Sequence, residues 1–155
     1  MIIETYNYND GESIIPTDLL DRTINIFDSY ENTLTKVNVK LVKEDLKKRL
    51  HIEGWSGEYR LDSDSQITIT SFQNNIGLCF QTGNVGRVYA DLLKLQTLYK
   101  RGNIKAGIMI LPRRGMSRVF GSNCASYDRL LKELPIFSNV IDVPLVVIGI
   151  FEMEG

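Results

Sequence analysis

Hydrophobic and polar residues alternate with a period of two over residues 76–81, IGLCFQ. Such alternation is typical of a β-strand with one face in the core, and it places Cys79 and Gln81 on the same face. Residues 106–111, AGIMIL, form a second apolar run that Pro112 closes, which predicts a central strand. The chain therefore has two buried strands with a long segment between them.

The segment between these strands is predicted to be one long helix, because its apolar residues recur at helical spacing. Asn84 can cap the first free amides of this helix, and Gly102 marks its end. The apolar residues form two stripes, a main one (Val88, Tyr89, Leu92, Leu95 and Tyr99) and a second one (Leu93 and Leu98). Two stripes predict two covered sides, so we expect one of them to meet a partner chain.

The rest of the chain gives shorter patterns. They predict strands at 1–8, 67–72 and 143–151, and helices that begin at Pro16 and Ser126 and cover 43–51. The strand at 67–72 is expected to form a hairpin with 76–80, because Gln73, Asn74 and Asn75 favour a turn. Residues 29–39 and 113–125 are predicted to be loops.

Length and charge limit the possible functions. With 155 residues, 43% of them hydrophobic, we expect a single domain over residues 1–155. The 18 basic and 19 acidic residues give a net charge of −1, so nucleic-acid binding requires a local basic patch. The start, MIIETYNYND, lacks the pattern of a signal peptide, and no apolar run approaches the length of a membrane span. We expect a cytoplasmic protein with no membrane partner.

The catalytic motifs that the sequence lacks limit the reaction mechanisms open to this protein. The sequence has one histidine, His51, and no Walker loop, GxSxG, HExxH or CxxC motif. Cys79 and Cys124 are expected to be reduced thiols outside any metal-ligand spacing. The predicted burial of Cys79 raises its pKa and disfavours a reactive thiol. Any catalysis would therefore use carboxylates, a metal or a thiol, of which the thiol is the least favoured.

A basic segment follows Pro112. It has no acidic residue before Asp128, and its glycines would let the backbone approach a ligand closely. Guanidinium groups bind phosphates and base edges, whereas a merely solvated loop fits the composition equally well. The candidate DNA-binding residues are Arg113, Arg114, Arg118, Ser122 and Asn123, with Lys43, Lys47 and Arg87 as secondary candidates for the DNA backbone.

The chain resembles the BglII-type restriction endonucleases of the wider PD-(D/E)xK nuclease group, which includes BamHI-like enzymes. The segments that carry the resemblance span nearly the entire length: IIETY, LKKRLHIEGW, FQTGNVGRVYADLLKLQ, GIMILP, GSNCASYDRLL and VPLVVIGI. The resemblance implies an α/β fold with a mixed central β-sheet flanked by helices. It also implies a homodimer around double-stranded DNA and Mg²⁺ held by acidic groups on a hairpin.

This family carries an aspartate on the first strand of the hairpin and Glu-x-Gln or Glu-x-Lys on the second. By this resemblance Cys79 stands at the glutamate position, and Gln81 is retained. Thr70 or Ser71 stands at the aspartate position, depending on a one-residue gap. Mg²⁺ prefers carboxylate oxygens, which neutral hydroxyl and thiol groups do not replace. We expect little or no Mg²⁺ binding through the usual pair.

Three functions fit these replacements. The favoured one is a DNA-binding protein with a degenerate metal centre, little or no cleavage and no cofactor. The second is an active Mg²⁺-dependent type II DNA endonuclease that uses relocated acids, for which the candidates are Asp62, Asp64, Glu58 and Glu44. For Asp62 and Asp64, a hydrated turn is the favoured interpretation. The third is a protein–protein regulatory module built on the same fold.

Overall fold

The computed structural model describes residues 2–31, 34–121 and 123–152. The strands are β1 Ile2–Tyr8, β2 Tyr59–Arg60, β3 Thr68–Ile69, β4 Ser71–Gln73, β5 Ile76–Phe80, β6 Ala106–Pro112 and β7 Leu145–Glu152. The α-helices are α1 Gly11–Ile14, α2 Thr17–Asp28, α3 Val39–Ile52, α4 Val85–Lys100, α5 Arg114–Phe120 and α6 Tyr127–Glu133. A 3₁₀-helix, Leu134–Phe137, follows α6.

Five strands form one mixed sheet in the order β1-β7-β6-β5-β4. The three central strands β5, β6 and β7 are parallel, and the edge strands β1 and β4 pair antiparallel. The long helix α4 connects the parallel neighbours β5 and β6, as a parallel crossover requires. This architecture confirms the predicted α/β fold with a mixed central sheet flanked by helices.

Alternation along the central strands divides the core between the two faces of the sheet. In β6, Ile108 and Ile110 pack with α2 and α3, whereas Met109 and Leu111 pack with α4 and α6. The sheet is therefore covered by helices on both faces. Within the described ranges, no helix combines the length and apolarity that a membrane span requires.

The predicted strand at 67–72 is wrong as a single element, because the chain changes partner at Thr70. Residues before it, in β3, pair with the short strand β2, and residues after it, in β4, pair with β5. Asn74 and Asn75 both have positive φ, the conformation of a tight hairpin turn. The predicted hairpin with β5 is present but begins only at Ser71.

The predicted loop at 113–125 is also wrong in part, since residues 114–120 form α5. A carboxylate oxygen of Asp128 accepts a hydrogen bond from the backbone N–H of Arg114 at 2.7 Å. The first turn of α5 is thus capped by a residue that comes after the helix. Met116, on the inner side of α5, is buried in the core.

The second apolar stripe of α4 is only partly as predicted. Leu98 is 1% exposed and packs into the core, because it continues the stripe of Leu92 and Leu95 by one helical step. Leu93 points away from the sheet and is 58% exposed. The outer face of α4 therefore presents Leu93 without Leu98.

Candidate nucleic-acid cleft

A cleft of about 1140 Å³ opens at the carboxyl end of β5. One wall is α3, and the opposite wall is the first half of α4 together with Phe120 at the end of α5. The floor is formed by the segment Thr68–Ser71, the residues that follow β5, and the side chains of Asp91 and Lys94, which connect to Gln81. The elements that surround the cleft thus come from most of the chain.

Basic side chains dominate the lining of the cleft. Five of them, Lys43, Lys47, Lys48, Arg87 and Lys94, stand against the two acids Glu58 and Asp91. Burial lowers the pKa of Lys43, and the neighbouring cations Lys47 and Arg87 lower it further. The chain is almost neutral overall but has a local positive field at this site.

The hydroxyl groups of Thr70 and Ser71, the two residues that the resemblance offers for the family aspartate, are both hydrogen-bonded. The Thr70 hydroxyl accepts a hydrogen bond from the backbone N–H of Phe80 at 3.0 Å. The Ser71 hydroxyl is buried and donates to the carbonyl of Ser56 at 2.6 Å. Both hydroxyl groups therefore support the hairpin itself.

Both cysteines are free thiols, as predicted. Burial raises the pKa of Cys79 well above its usual range, and the nearby Asp91 raises it further. Burial also raises the pKa of Cys124 to about 11. Neither thiol has the lowered pKa that a nucleophile needs.

Gln81 lies on the α4 side of β5, the same side as Cys79, as the alternation predicts. Its Nε2 donates to Oδ2 of Asp91 at 2.7 Å, and its Oε1 accepts from the backbone N–H of Gly83 at 2.8 Å. Oδ1 of Asp91 accepts from Nζ of Lys94 at 3.4 Å. One carboxylate thus joins the amide of Gln81 to an ammonium group.

Asp91 is the acid that sequence reasoning missed. Its side chain is only 8% exposed, and burial raises its pKa, although Gln81 and Lys94 act in the opposite direction. The sequence contains a signal for it, because Asp91 interrupts the buried stripe of Val88, Leu92 and Leu95 with a charge. A carboxylate on the buried face of a helix requires a polar partner, and here that partner is Gln81.

The four predicted relocated acids are placed differently. Glu58 lines the cleft, whereas Glu44, Asp62 and Asp64 are exposed and are not among the lining residues. Asp62 accepts from the backbone N–H of Asp64 at 3.1 Å, the contact of a turn. The acids nearest to the family positions are thus Asp91 and Glu58.

The candidates after Pro112 also differ in their surroundings. Arg113 is 11% exposed, and its guanidinium forms ion pairs with Glu4 at 3.1 Å and with Asp128 at 3.2 Å. Arg114 and Arg118 are exposed, and Ser122 lies outside the described residues. The engaged guanidinium of Arg113 favours a structural role, whereas Arg114 and Arg118 face solvent.

The segment at 123–125 runs beside the turn that follows β5. The backbone N–H of Ala125 donates to the carbonyl of Gly83 at 2.9 Å, and the Cys124 thiol donates to the carbonyl of Thr82 at 3.1 Å. Asn123 is exposed on this segment. These contacts bring Asn123 to the rim of the cleft.

The secondary candidates Lys43, Lys47 and Arg87 all line the cleft. In the part of the chain that the structure describes, none of the three forms an ion pair with a carboxylate. Their charges are thus available to an anionic ligand.

The donor set does not fit Mg²⁺. Among the residues described, no group of three or more Asp, Glu, His or Cys side chains is arranged to hold a metal ion. Asp91 supplies one carboxylate, and that carboxylate already accepts from Gln81 and Lys94. Mg²⁺ is usually held by one or two carboxylates together with phosphate oxygens, and here both oxygens of the Asp91 carboxylate are engaged and the adjacent ammonium opposes metal binding.

The mixed sheet, the hairpin before α4 and the basic cleft define a restriction-endonuclease-like protein. A sequence profile of the family described as restriction endonuclease BglII/BglIII matches residues 3–150. The chain belongs to this family, which confirms the resemblance drawn from its segments.

Two solved structures share the fold. The crystal structure of restriction endonuclease BglII complexed with a DNA 16-mer has a TM-score of 0.85 and 15% identity, over 99% of this chain and 79% of that one. The crystal structure of free BglII has a TM-score of 0.73 and 17% identity, over 99% of this chain and 81% of that one. No curated protein matches the sequence.

Proposed function

We propose that this protein binds double-stranded DNA in its basic cleft and cleaves it weakly or not at all. The observation that carries the proposal is the combination of five cations around the cleft with neutral residues at the positions that the resemblance assigns to the family carboxylates, Thr70 or Ser71 and Cys79. All of these cations except Lys94 lack an ion pair with a carboxylate among the described contacts, and such cations attract the phosphate backbone. The replacement of the two family carboxylates by neutral residues removes the usual Mg²⁺ ligands. It also removes a source of electrostatic repulsion for phosphate.

The family supports DNA as the ligand. The BglII structure of higher TM-score is the DNA complex rather than the free protein. Arg114, Arg118 and Asn123, with Ser122 between them in sequence, remain candidates for contacts at the rim of the cleft. Lys43, Lys47 and Arg87 remain candidates for contacts with the DNA backbone inside it.

The second candidate function is a Mg²⁺-dependent DNA endonuclease of the same fold. Asp91 favours it, because this carboxylate lies in the cleft beside Gln81. Glu58 is a second acid in the lining. Against it stands the ammonium of Lys94, which neutralises Asp91 at the place where a metal ion would need the charge.

The first experiment separates binding from cleavage. Binding of a fluorescent DNA duplex is measured by anisotropy over a range of salt concentrations, for the wild type and for Lys43→Ala and Lys47→Ala. Each replacement is expected to weaken binding and reduce the salt slope by about 0.9. Lys105→Ala is the matched control, because Lys105 is exposed at the opposite end of the parallel strands.

Cleavage is then tested on methylated and unmethylated genomic DNA with Mg²⁺ and with Mn²⁺. Binding without cleavage supports the proposal. Defined fragments that disappear with Asp91→Asn would instead establish the endonuclease. If no duplex is bound at any salt concentration, both DNA functions fail.

A homodimer is proposed from the outer apolar patch, which consists of Leu93, Ile136, Phe137 and Val140. All four side chains are exposed. Phe137 packs against Tyr89 at 5.3 Å between ring centroids, which brings the 3₁₀-helix beside α4. Exposed apolar side chains grouped in this way are typical of an interface. A regulatory module that binds a different protein through this patch is the other use of the same surface.

A further inference from the structure

Lys94 has an unusual position among the cations of the cleft. It lies three residues after Asp91 on α4, and its ammonium is 3.4 Å from Oδ1 of that residue. Its side chain is 26% exposed, so the ammonium is accessible from the cleft. The ion pair with Asp91 holds the ammonium at the floor. Within the ranges the structure describes, the other cleft cations are not paired in this way.

The partner of Lys94 is itself fixed. Asp91 also accepts from Nε2 of Gln81, whose Oε1 accepts from the N–H of Gly83. The amide of Gln81 is therefore held at both ends. Through one shared carboxylate, the ammonium of Lys94 is placed next to the glutamine that the family retains.

Phosphate at the floor of a nuclease cleft is ordinarily neutralised by a divalent cation. Here the hydroxyl of Thr70 and the thiol of Cys79 are poor ligands for such an ion, but the ammonium of Lys94 supplies a positive charge. We propose that Lys94, held by Asp91, is the fixed cation that contacts a DNA phosphate at the floor, so that binding needs no divalent metal. This inference rests on the proposed function and names the group that carries it.

The pairing predicts a specific response to the loss of Lys94. Without its ammonium, Asp91 becomes a buried carboxylate that faces the incoming phosphate and repels it. Arg87 lies within electrostatic range of Asp91, but it does not hydrogen-bond to it among the described contacts. A divalent cation added to such a variant would neutralise Asp91 and restore part of the affinity.

The experiment measures anisotropy of a fluorescent duplex at constant ionic strength, with EDTA or with Mg²⁺. Wild-type affinity is expected to be unchanged or slightly lower with Mg²⁺, since Mg²⁺ competes for phosphate. Lys94→Met, which keeps the apolar stem, is expected to bind about tenfold more weakly in EDTA, equivalent to about 1.4 kcal/mol. Its affinity should rise when Mg²⁺ is added, and this rise should vanish in Asp91→Asn/Lys94→Met.

Lys94→Arg keeps the positive charge and should retain binding without a divalent metal. This variant also tests the role of the charge if Lys94→Met does not fold. Lys105→Ala again controls for the loss of one charge. A wild type that binds only with Mg²⁺, or a Lys94→Met with wild-type affinity in EDTA, overturns the role of Lys94 while DNA binding stands. A wild type that binds no duplex under either condition refutes the proposed function, and this inference with it.

Discussion

Gln81 donates to Asp91 over 2.7 Å and thereby ties the end of β5 to the second turn of α4. Strand and helix each bring one polar group to an otherwise apolar interface between sheet and helix. The bond fixes the floor of the cleft and gives a buried carboxylate its partner. The charge of Asp91 should therefore affect the free energy of unfolding, which can be measured.

Asp91→Asn tests the cost of this charge. Burial raises the pKa of Asp91 in the folded protein above its ordinary value, so the folded state binds more protons than the unfolded state between these two pKa values. Wild-type stability should therefore rise relative to Asp91→Asn as the pH falls from neutral through the raised pKa towards about pH 4.

Thermal unfolding of both proteins over this pH range provides the measurement. The difference in stability between the two proteins is expected to shift in favour of the wild type as the pH falls, because burial raises the pKa of Asp91 in the folded state. A constant difference between the two proteins at all pH values would mean that Asp91 does not titrate differently on folding.

Alanine variants of Arg113 and Arg118 should distinguish a structural role from a role in DNA binding. Arg113→Ala removes the partner of Asp128, and the partly buried carboxylate left behind should cost about 2 kcal/mol in the free energy of unfolding. Arg118→Ala, on an exposed side of α5, should change it by less than about 0.5 kcal/mol but weaken duplex binding. Urea denaturation and anisotropy measure the two effects. Equal stability of both variants would refute the structural role of Arg113.

Carboxylates restored at the family positions should restore metal binding. In Thr70→Asp/Cys79→Glu, one new acid lines the cleft and the other lies on the buried α4 side of β5 near Asp91, and together they supply the oxygen ligands that Mg²⁺ prefers. The midpoint of thermal unfolding should then rise with Mg²⁺ concentration, because a ligand that binds the folded state stabilises it. The matched control is Thr70→Asn/Cys79→Gln, which has the same size without the charges. A similar rise in both variants would contradict the prediction.

Leu93→Glu tests the outer apolar patch. If the patch forms a homodimer, a charge at its centre should produce monomers at concentrations where the wild type is dimeric, since an unpaired charge in an interface is costly. Light scattering with and without DNA measures the mass. Ile67→Glu is the control, because Ile67 is exposed on the loop before β3 and lies outside the patch. A wild type that is monomeric even with DNA would refute the homodimer.

Local pattern predicted most of the scaffold. The alternation at 76–81 gives β5 and its two faces, and helical spacing with the Asn84 cap gives α4, because such periods follow from the backbone geometry of single elements. The segment from β5 to β6 therefore follows the prediction closely. The same pattern correctly placed Gln81 beside Cys79.

Long-range contacts decided the elements that the local hydrophobic pattern did not predict correctly. The helix α5 begins where Asp128 caps Arg114, and the strand at 67–72 divides where Ser56 binds Ser71. In each case the deciding partner lies more than ten residues away, so that local periodicity does not report it.

By itself, then, the sequence determined the buried strands β5 and β6 and the long helix α4 between them. Only the tertiary structure decided which polar side chains from separate elements meet: Asp91 with Gln81 in the cleft, and Arg113 with Glu4 and Asp128 outside it. The physical reason is that charge pairing depends on the distance between side chains from separate elements. That distance is set when the helices pack on the sheet.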